Sequence, residues 1–237
     1  MASLALWSPE NSFYDICTFA AGFAGNLFAF VLFVSPIPTF RRIVLNRSTE
    51  QFSGLPYVYS LLNCLICFWY GLPCVSYGVY LVATVNSVGA VFQILYITLF
   101  ITFGENATRL KICGWLVGVF TVFALIVYVS LEMFDHQARR TFIGYLSVAS
   151  LISMFASPLF IINLVVRTKS VEFMPFHLSL ATFLMSISFF AYGMLVDDFF
   201  IYLPNGIGSV LGVIQLLLYA YYSKISREES MLPLLIS

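Results

Sequence analysis

Charged side chains are scarce in this sequence. Only 9% of its 237 residues are Asp, Glu, Lys or Arg, whereas 61% are apolar and 18% are aromatic. A soluble domain carries about 25% charged residues, so this composition excludes an ordinary soluble enzyme or binding module and indicates a membrane protein. Basic and acidic residues balance to a net charge of zero, which leaves no basic field that would attract nucleic acid. We therefore expect the lipid bilayer as a partner, and no nucleic acid.

Groups suited to catalysis or metal binding are also few. There are two histidines, both near the ends of apolar runs, and the five cysteines lie mostly within such runs, which argues against a disulfide framework. Cys64-x-x-Cys67 looks like a redox motif but lacks a soluble strand-helix context, so small packing residues are the simpler interpretation. No buried nucleophile with a base is evident. We therefore expect no enzyme activity, no cofactor and no metal.

Long uncharged runs are what the sequence contains instead. The run from Gln51 to Gly104 is more than twice the about 20 residues that one membrane helix needs, and Gly and Pro at 71–78 divide it. The same reasoning along the chain predicts seven spans, at Ile16–Phe40, Leu55–Val75, Tyr80–Phe103, Ile112–Leu131, Thr141–Val166, Pro175–Val196 and Phe199–Ser223.

The chain also contains an internal repeat. The stretch RSTEQFSGLP at 47–56 returns in shortened form as KSVEFMP at 169–175, an offset of 122 between Ser48 and Ser170. Other pairs of motifs keep this spacing or one close to it, namely Ser35-Pro36 with Ser157-Pro158, Tyr70-Gly71 with Tyr192-Gly193, and Asn86 with Asn205. One structural unit has therefore been used twice.

Basic residues divide unequally between the two sides of the predicted spans. Nine fall on one side, at 41, 42, 47, 109, 111, 167, 169, 224 and 227, and only Arg139 and Arg140 fall on the other. The positive-inside rule makes the larger group cytoplasmic, so the N-terminus is outside or lumenal and the C-terminus is cytosolic. Both copies of the repeated motif then lie on the cytoplasmic side, which requires the fourth span to invert the chain between two parallel units.

These patterns predict an all-α membrane protein in which two parallel three-helix repeats are joined by an inversion linker helix, a 3-1-3 arrangement. The predicted parts are residues 13–104 and 135–223 for the repeats, 105–134 for the linker and 224–237 for a cytosolic tail. Parallel repeats of this kind are typical of transporters whose substrate site lies near the membrane midplane.

Asn86 and Asn205 are the leading candidates for a substrate site. An amide within an apolar span is costly unless it has a partner, and both residues are followed three positions later by glycine. Because an amide offers two donors and an acceptor, this pair could bind one neutral polar substrate such as a sugar. The alternative interpretation is that each asparagine holds neighbouring helices together.

Two further sets of residues suggest moving parts. Proline removes a backbone donor and kinks helices, so Pro36, Pro56, Pro158 and Pro175 could act as hinges, although Pro56 and Pro175 could also be ordinary helix starts. Tyr70 and Asp198 lie at the outer ends of spans 2 and 6 and could form an outer gate, although Asp197 and Asp198 could simply be an exposed turn. No Asp, Glu, Lys, Arg or His lies in the middle of a span, which predicts transport without proton coupling.

Together these motifs resemble those of the plant SWEET sugar transporters. The resemblance covers about residues 19–223 and rests on FVSPIPTFRRI, RSTEQFSGLPY, LLNCL through WYGLP, VNSVGAVFQ, MFASPL, VVRTKSVEFMPF and PNGIG. It implies the same substrate pocket, four hinge prolines and outer gate, and it implies alternating access by rocking of two halves. It also implies uniport of a mono- or disaccharide and assembly as homo-oligomers, often trimers.

Two pocket positions depart from a common pattern of that family. Cys67 stands where many members have serine, and Phe189 stands where many have tryptophan. Phenylalanine keeps a ring face for a sugar but lacks the indole donor, and we expect a hexose such as glucose as substrate. The resemblance favours the vacuolar membrane over the plasma membrane. Two other functions stay open: a carrier of another small neutral solute such as an amino acid, and a seven-helix receptor, which predicts no internal repeat.

Overall fold

The structure is a computed structural model that describes the backbone of residues 9–235 and the side chains of residues 13–224. Within these residues the chain is helical and contains no strand. The helices are α1 (Pro9–Val34), α2 (Ile37–Asn46), α3 (Leu55–Tyr70), α4 (Tyr80–Phe103), α5 (Asn106–Glu132), α6 (His136–Met154), α7 (Ala156–Thr168), α8 (Phe176–Leu195) and α9 (Phe199–Leu235).

The helices provide six segments that are long and apolar enough to cross a membrane, and a shorter seventh. The six are Phe13–Asn46, Tyr80–Phe103, Asn106–Glu132, His136–Thr168, Phe176–Leu195 and Phe199–Lys224, and the seventh is Leu55–Tyr70. The predicted seven spans are therefore confirmed. Helix α9 runs on to Leu235, beyond the predicted end of the last span at Ser223, and the tail side chains after residue 224 lie outside those described.

The chain divides into two compact units. One comprises residues 29–150 and contains Asn86, and the other comprises residues 1–28 with 151–237 and contains Asn205. We call them the Asn86 unit and the Asn205 unit. The division cuts α1 and α6 and assigns the linker helix α5 to the Asn86 unit, whereas the predicted limits at 104/105 and 134/135 follow the sequence repeat and stay a prediction.

Proline explains why the first and fifth spans are each built from two helices. Pro36 cannot donate to the carbonyl of Leu32, which instead accepts the Ser35 hydroxyl at 2.8 Å, and the helix restarts at Ile37. In the second copy the break falls at Phe155, three residues before Pro158, because that proline cannot donate to the carbonyl of Met154. The two breaks are equivalent in kind and differ slightly in position.

Helix α3 ends five residues before the predicted limit at Val75, beside a close approach of two backbones. A Cβ atom on Gly71 would lie 2.4 Å from the backbone nitrogen of Ala83 in α4. The second repeat has the same arrangement, since a Cβ on Gly193 in α8 would lie 2.6 Å from the backbone nitrogen of Tyr202 in α9. Glycine is therefore required at both positions by the turn that joins each pair of helices.

Aromatic packing joins α2, α3 and α4 in the Asn86 unit. The Phe40 ring stacks on the Tyr96 ring with centroids 4.2 Å apart, and Tyr57 meets both rings edge-on. Phe100 meets Phe40 edge-on and Tyr57 at a tilt. The Tyr96 hydroxyl donates to the carbonyl of Phe33 at 2.6 Å. This bond satisfies a carbonyl next to the break in the first span and connects α1 to α4.

Helix α5 packs against α3 and α4 along one side and exposes large apolar side chains, such as Val117 and Leu125, on the other. The Trp69 indole donates to the Ser130 hydroxyl at 3.1 Å. At the carboxyl end of α5, the Arg139 guanidinium donates to the Ser130 carbonyl at 2.8 Å and to the Cys74 carbonyl at 3.1 Å. A cation there satisfies exposed helix carbonyls and opposes the negative end of the helix dipole.

Candidate substrate-binding site

Asn86 lies in the second turn of α4 and is half-buried. Its side-chain amide donates to the carbonyl of Val82, one turn earlier, at 2.8 Å. This bond uses one of the two N–H groups and fixes the direction of the amide. The second N–H and the acceptor oxygen give the residue further hydrogen-bonding capacity, which suits a hydroxyl-bearing ligand.

Asn205 repeats this geometry in the Asn205 unit. It lies in the second turn of α9, is half-buried, and donates to the carbonyl of Ile201 at 2.8 Å. The glycine three positions after each asparagine also has an equivalent role. A Cβ on Gly89 would lie 2.9 Å from the Cys64 sulfur, and a Cβ on Gly208 would lie 2.8 Å from the Ser186 hydroxyl. The asparagine and glycine therefore form one local arrangement that occurs twice.

These contacts also set the register between neighbouring helices. In the Asn86 unit, α3 meets α4 at Cys64 with Gly89 and again at Gly71 with Ala83, so Cys67, between them, lies level with Asn86. The side chain of Cys67 is buried, with 3% exposed. The structure thus brings these two predicted site residues to the same level of facing helices.

The same register in the Asn205 unit brings Phe189 level with Asn205. Helix α8 meets α9 at Ser186 with Gly208 and at Gly193 with Tyr202, and Phe189 lies midway. Its ring covers Gly25 of α1, where a Cβ would lie 2.8 Å from two ring carbons. Phe189 is thus a buried apolar side chain, with 6% exposed. Each unit therefore contains a candidate half-site of one asparagine and one side chain from the preceding helix.

Asn63 is a polar residue that our reading of the sequence did not select. It lies one turn before Cys67 in α3 and is 6% exposed, and its amide oxygen accepts hydrogen bonds from Ser150 in α6 at 2.9 Å and from Cys67 at 3.8 Å. The signal was present, since Asn63 is an amide within an apolar span. It was missed because the equivalent position of the second repeat holds Met185, so the amide does not recur.

The predicted gate residues lie at the ends of their helices. Tyr70 is the last residue of α3 and is 1% exposed, while Asp198 precedes α9 and is fully buried. The Asp198 carboxylate accepts from the backbone N–H of Phe200 at 3.0 Å, as an N-cap does. The alternative of an exposed turn holds for Asp197, which is exposed with φ 51°, and is wrong for Asp198.

The four predicted hinge prolines occupy two kinds of place. Pro36 and Pro158 lie at or just after the breaks in the first and fifth spans. Pro56 lies in the first turn of α3, and Pro175 immediately precedes α8 with φ −60° and ψ 129°. The placement of the latter two agrees with ordinary helix starts, so any hinge role rests on the first pair more than on the second.

Comparison with known proteins agrees with this architecture. A family model described as "Sugar efflux transporter for intercellular exchange" matches residues 19–108 and 141–227. The chain is 68% identical over 235 residues to "Bidirectional sugar transporter SWEET2a" of Oryza sativa subsp. indica, covering 99% of this chain and 96% of the relative. It is 58% identical over 228 residues to "Bidirectional sugar transporter SWEET2" of Arabidopsis thaliana, covering 96% and 97%. The chain belongs to the SWEET family.

A solved SWEET structure confirms the predicted fold. "The 3.7 A resolution structure of a eukaryotic SWEET transporter" matches with a TM-score of 0.88 and 60% identity, covering 90% of this chain and 99% of that chain. The SWEET family model matches in two segments separated by residues 109–140, and most of α5 lies in that interval. The family is one of transporters, so the chain is a multi-pass membrane protein and not an enzyme.

Proposed function

We propose that this SWEET protein is a bidirectional sugar uniporter and that Asn86 and Asn205 bind the sugar. The observation that supports the proposal is the recurrence of one amide geometry in both repeats, with each asparagine tied to the carbonyl four residues earlier at 2.8 Å. A duplicated fold keeps a costly polar group in both copies when both copies use it. The relatives are named as sugar transporters, which gives sugar as the substrate class. The two amides provide the hydrogen-bonding groups that recognise the sugar.

The binding chemistry favours a neutral polyol. An amide can donate to one hydroxyl and accept from another, whereas the neighbouring Cys67 and Phe189 provide a weakly polar and an apolar surface. Phe189 lacks an indole donor and packs against Gly25. A wall without the indole donor offers a sugar one hydrogen-bonding group fewer than tryptophan would, and glucose is the substrate that we propose.

Transport is uncoupled from ions. The spans carry no Asp, Glu, Lys, Arg or His near their middle, and such groups are the usual proton relays of coupled carriers. Without a relay, the movement of sugar has no proton gradient to draw on. Sugar therefore moves in either direction down its own gradient.

Alternating access provides the mechanism of movement. Pro36 and Pro158 interrupt hydrogen bonding in the first and fifth spans, and such breaks let a helix bend at low cost. We assign hinge roles to these two and to Pro56 and Pro175 at the starts of the following spans. Tyr70 and Asp198 serve the outer gate, which their positions at the ends of α3 and before α9 support.

The charge distribution and the family resemblance support the orientation and location that we propose. The excess of basic residues on one side supports an N-terminus outside or in the lumen and a C-terminus in the cytosol. We propose the vacuolar membrane as the site of action and assembly into homo-oligomers, trimers by the resemblance. Blue native electrophoresis of the full chain tests the assembly, and a single monomeric band would contradict it.

Uptake of labelled glucose into proteoliposomes tests the proposed function. The full chain should equilibrate glucose across the membrane without accumulating it, whether or not a pH gradient is imposed. Asn86→Ala and Asn205→Ala should each reduce the rate by about tenfold or more, because each removes a hydrogen-bonding partner of the sugar. Thr182→Val is the matched control, since among the described residues the Thr182 hydroxyl bonds only to the carbonyl of Leu178 in its own helix, at 2.9 Å.

Three results would contradict parts of this proposal. Full flux in both asparagine variants would remove the assigned site. Accumulation above equilibrium under a pH gradient would show ion coupling. Uptake of labelled amino acids in place of glucose would favour the alternative solute.

A further inference from the structure

Asn63 forms a polar cluster with Cys67 and Ser150 inside the Asn86 unit. Its amide oxygen accepts from the Ser150 hydroxyl at 2.9 Å and from the Cys67 thiol at 3.8 Å. An amide oxygen has two acceptor positions, so these two donors occupy its capacity. The cluster connects α3 with α6, 87 residues apart in the chain, and ends at a residue of the proposed half-site.

The equivalent cluster is missing from the Asn205 unit in a consistent way. With the offset of 122 residues, the three members of the cluster correspond to apolar residues: Cys67 to Phe189, Asn63 to Met185, and Ser150 to Phe28. All three positions are polar in the Asn86 unit and apolar in the Asn205 unit. Folding of such a unit therefore does not require the polar cluster. The cluster occurs in the unit that has the thiol and not in the unit that lacks it, which indicates that the cluster acts on Cys67.

We propose that Asn63, held by Ser150, is a positioning residue that sets the direction of the Cys67 thiol for sugar binding. The inference rests on the proposed function, because it gives Cys67 a sugar contact. The thiol hydrogen points to the Asn63 oxygen, so the sulfur meets the sugar as an acceptor of a hydroxyl hydrogen. Ser150 keeps the amide oxygen from turning away. Asn63 acts through Cys67 and does not itself touch the sugar.

The variant Ser150→Ala tests the inference with little risk to folding, because it removes one hydroxyl. We expect it to raise the KM for glucose about two- to tenfold, the range that one hydrogen bond spans, and to change kcat less than twofold. Ser150→Thr, which keeps the hydroxyl, should restore the KM. Ser147→Ala is the matched control, because Ser147 is buried one turn earlier in α6. Within the part of the chain that the structure describes, its hydroxyl bonds only to the Gly144 carbonyl of its own helix, at 2.8 Å.

A double-mutant cycle tests the path through Cys67. Cys67→Ala alone should raise the KM, and adding Ser150→Ala to it should have no further effect. A full additional effect of Ser150→Ala in that background would overturn the positioning role, as would a KM for Ser150→Ala equal to that of Ser147→Ala. These results are distinct from failure of the proposed function, in which the unmodified chain would move no glucose or Asn86→Ala would keep full flux.

Discussion

The turn glycines provide a prediction whose size can be worked out from the structure. Gly71→Ala places a methyl group 2.4 Å from the backbone nitrogen of Ala83, and Gly193→Ala places one 2.6 Å from that of Tyr202. Both distances are below 3.0 Å, and Cβ atoms in proteins essentially never make contacts that short. The neighbouring atom is backbone in each case, so no side chain can rotate away. The two helices that the turn joins must separate.

The expected cost is steric, because Gly71 has φ −75°, which alanine adopts without strain. Overpacking in a well-packed interior typically costs about 1–3 kcal/mol, and a backbone contact belongs at the upper end of that range. Alanine recovers part of this through its smaller loss of backbone entropy, at most about 1 kcal/mol. We therefore expect each variant to lose about 2 kcal/mol of stability, with Gly71→Ala affected at least as much as Gly193→Ala.

The measurement is the thermal unfolding of the purified protein in detergent, monitored by size-exclusion chromatography of samples heated to increasing temperatures. Gly114→Ala and Gly118→Ala are the matched controls, since a Cβ at either position of α5 meets no atom within 4 Å. The controls should unfold at or above the temperature of the unmodified chain. The close approach of α3 and α4 would be refuted if Gly71→Ala, like the controls, unfolded at or above the temperature of the unmodified chain. If Gly71→Ala and the controls all unfolded at the same lower temperature, the loss of stability would not be specific to the close approach.

Two further predictions concern the first repeat. Tyr96→Phe should lower stability by about 1 kcal/mol in the same assay, because it removes the hydroxyl that donates to the Phe33 carbonyl at 2.6 Å. An unchanged unfolding temperature would contradict this prediction. Glu50 has its pKa held below the ordinary value, first by the hydrogen bond from Arg42 and then by that from Asn46. A lowered pKa means that the stabilisation is present above the ordinary carboxyl pKa and is lost as pH falls through the lowered value. The unmodified chain should therefore unfold at a slightly higher temperature than Glu50→Gln at neutral pH, and the difference is small because the pair of Glu50 and Arg42 is exposed. In acid this difference should vanish. A difference that grows in acid would contradict the lowered pKa of Glu50.

The amino-acid sequence by itself determined the membrane class, the seven spans, the repeat and the family. These properties depend on the number of consecutive apolar residues, on the charges between them and on motif spacing, all of which can be counted along the chain. The limits predicted for Tyr80–Phe103 match those of α4 because a helix within lipid must satisfy its own backbone, whatever its neighbours. The recurrence of Asn86 as Asn205 could be read in the same way.

Only the tertiary structure decided which polar groups find partners across helices. The bond between Asn63 and Ser150 depends on how α3 packs against α6, and the burial of Asp198 depends on the turn before α9. Neither follows from local pattern, because a polar residue in an apolar run has the same sequence signature whether it faces a partner, a ligand or lipid. The glycine at 71 likewise reads as a turn signal, and only the 2.4 Å approach to Ala83 shows that the turn excludes any larger residue.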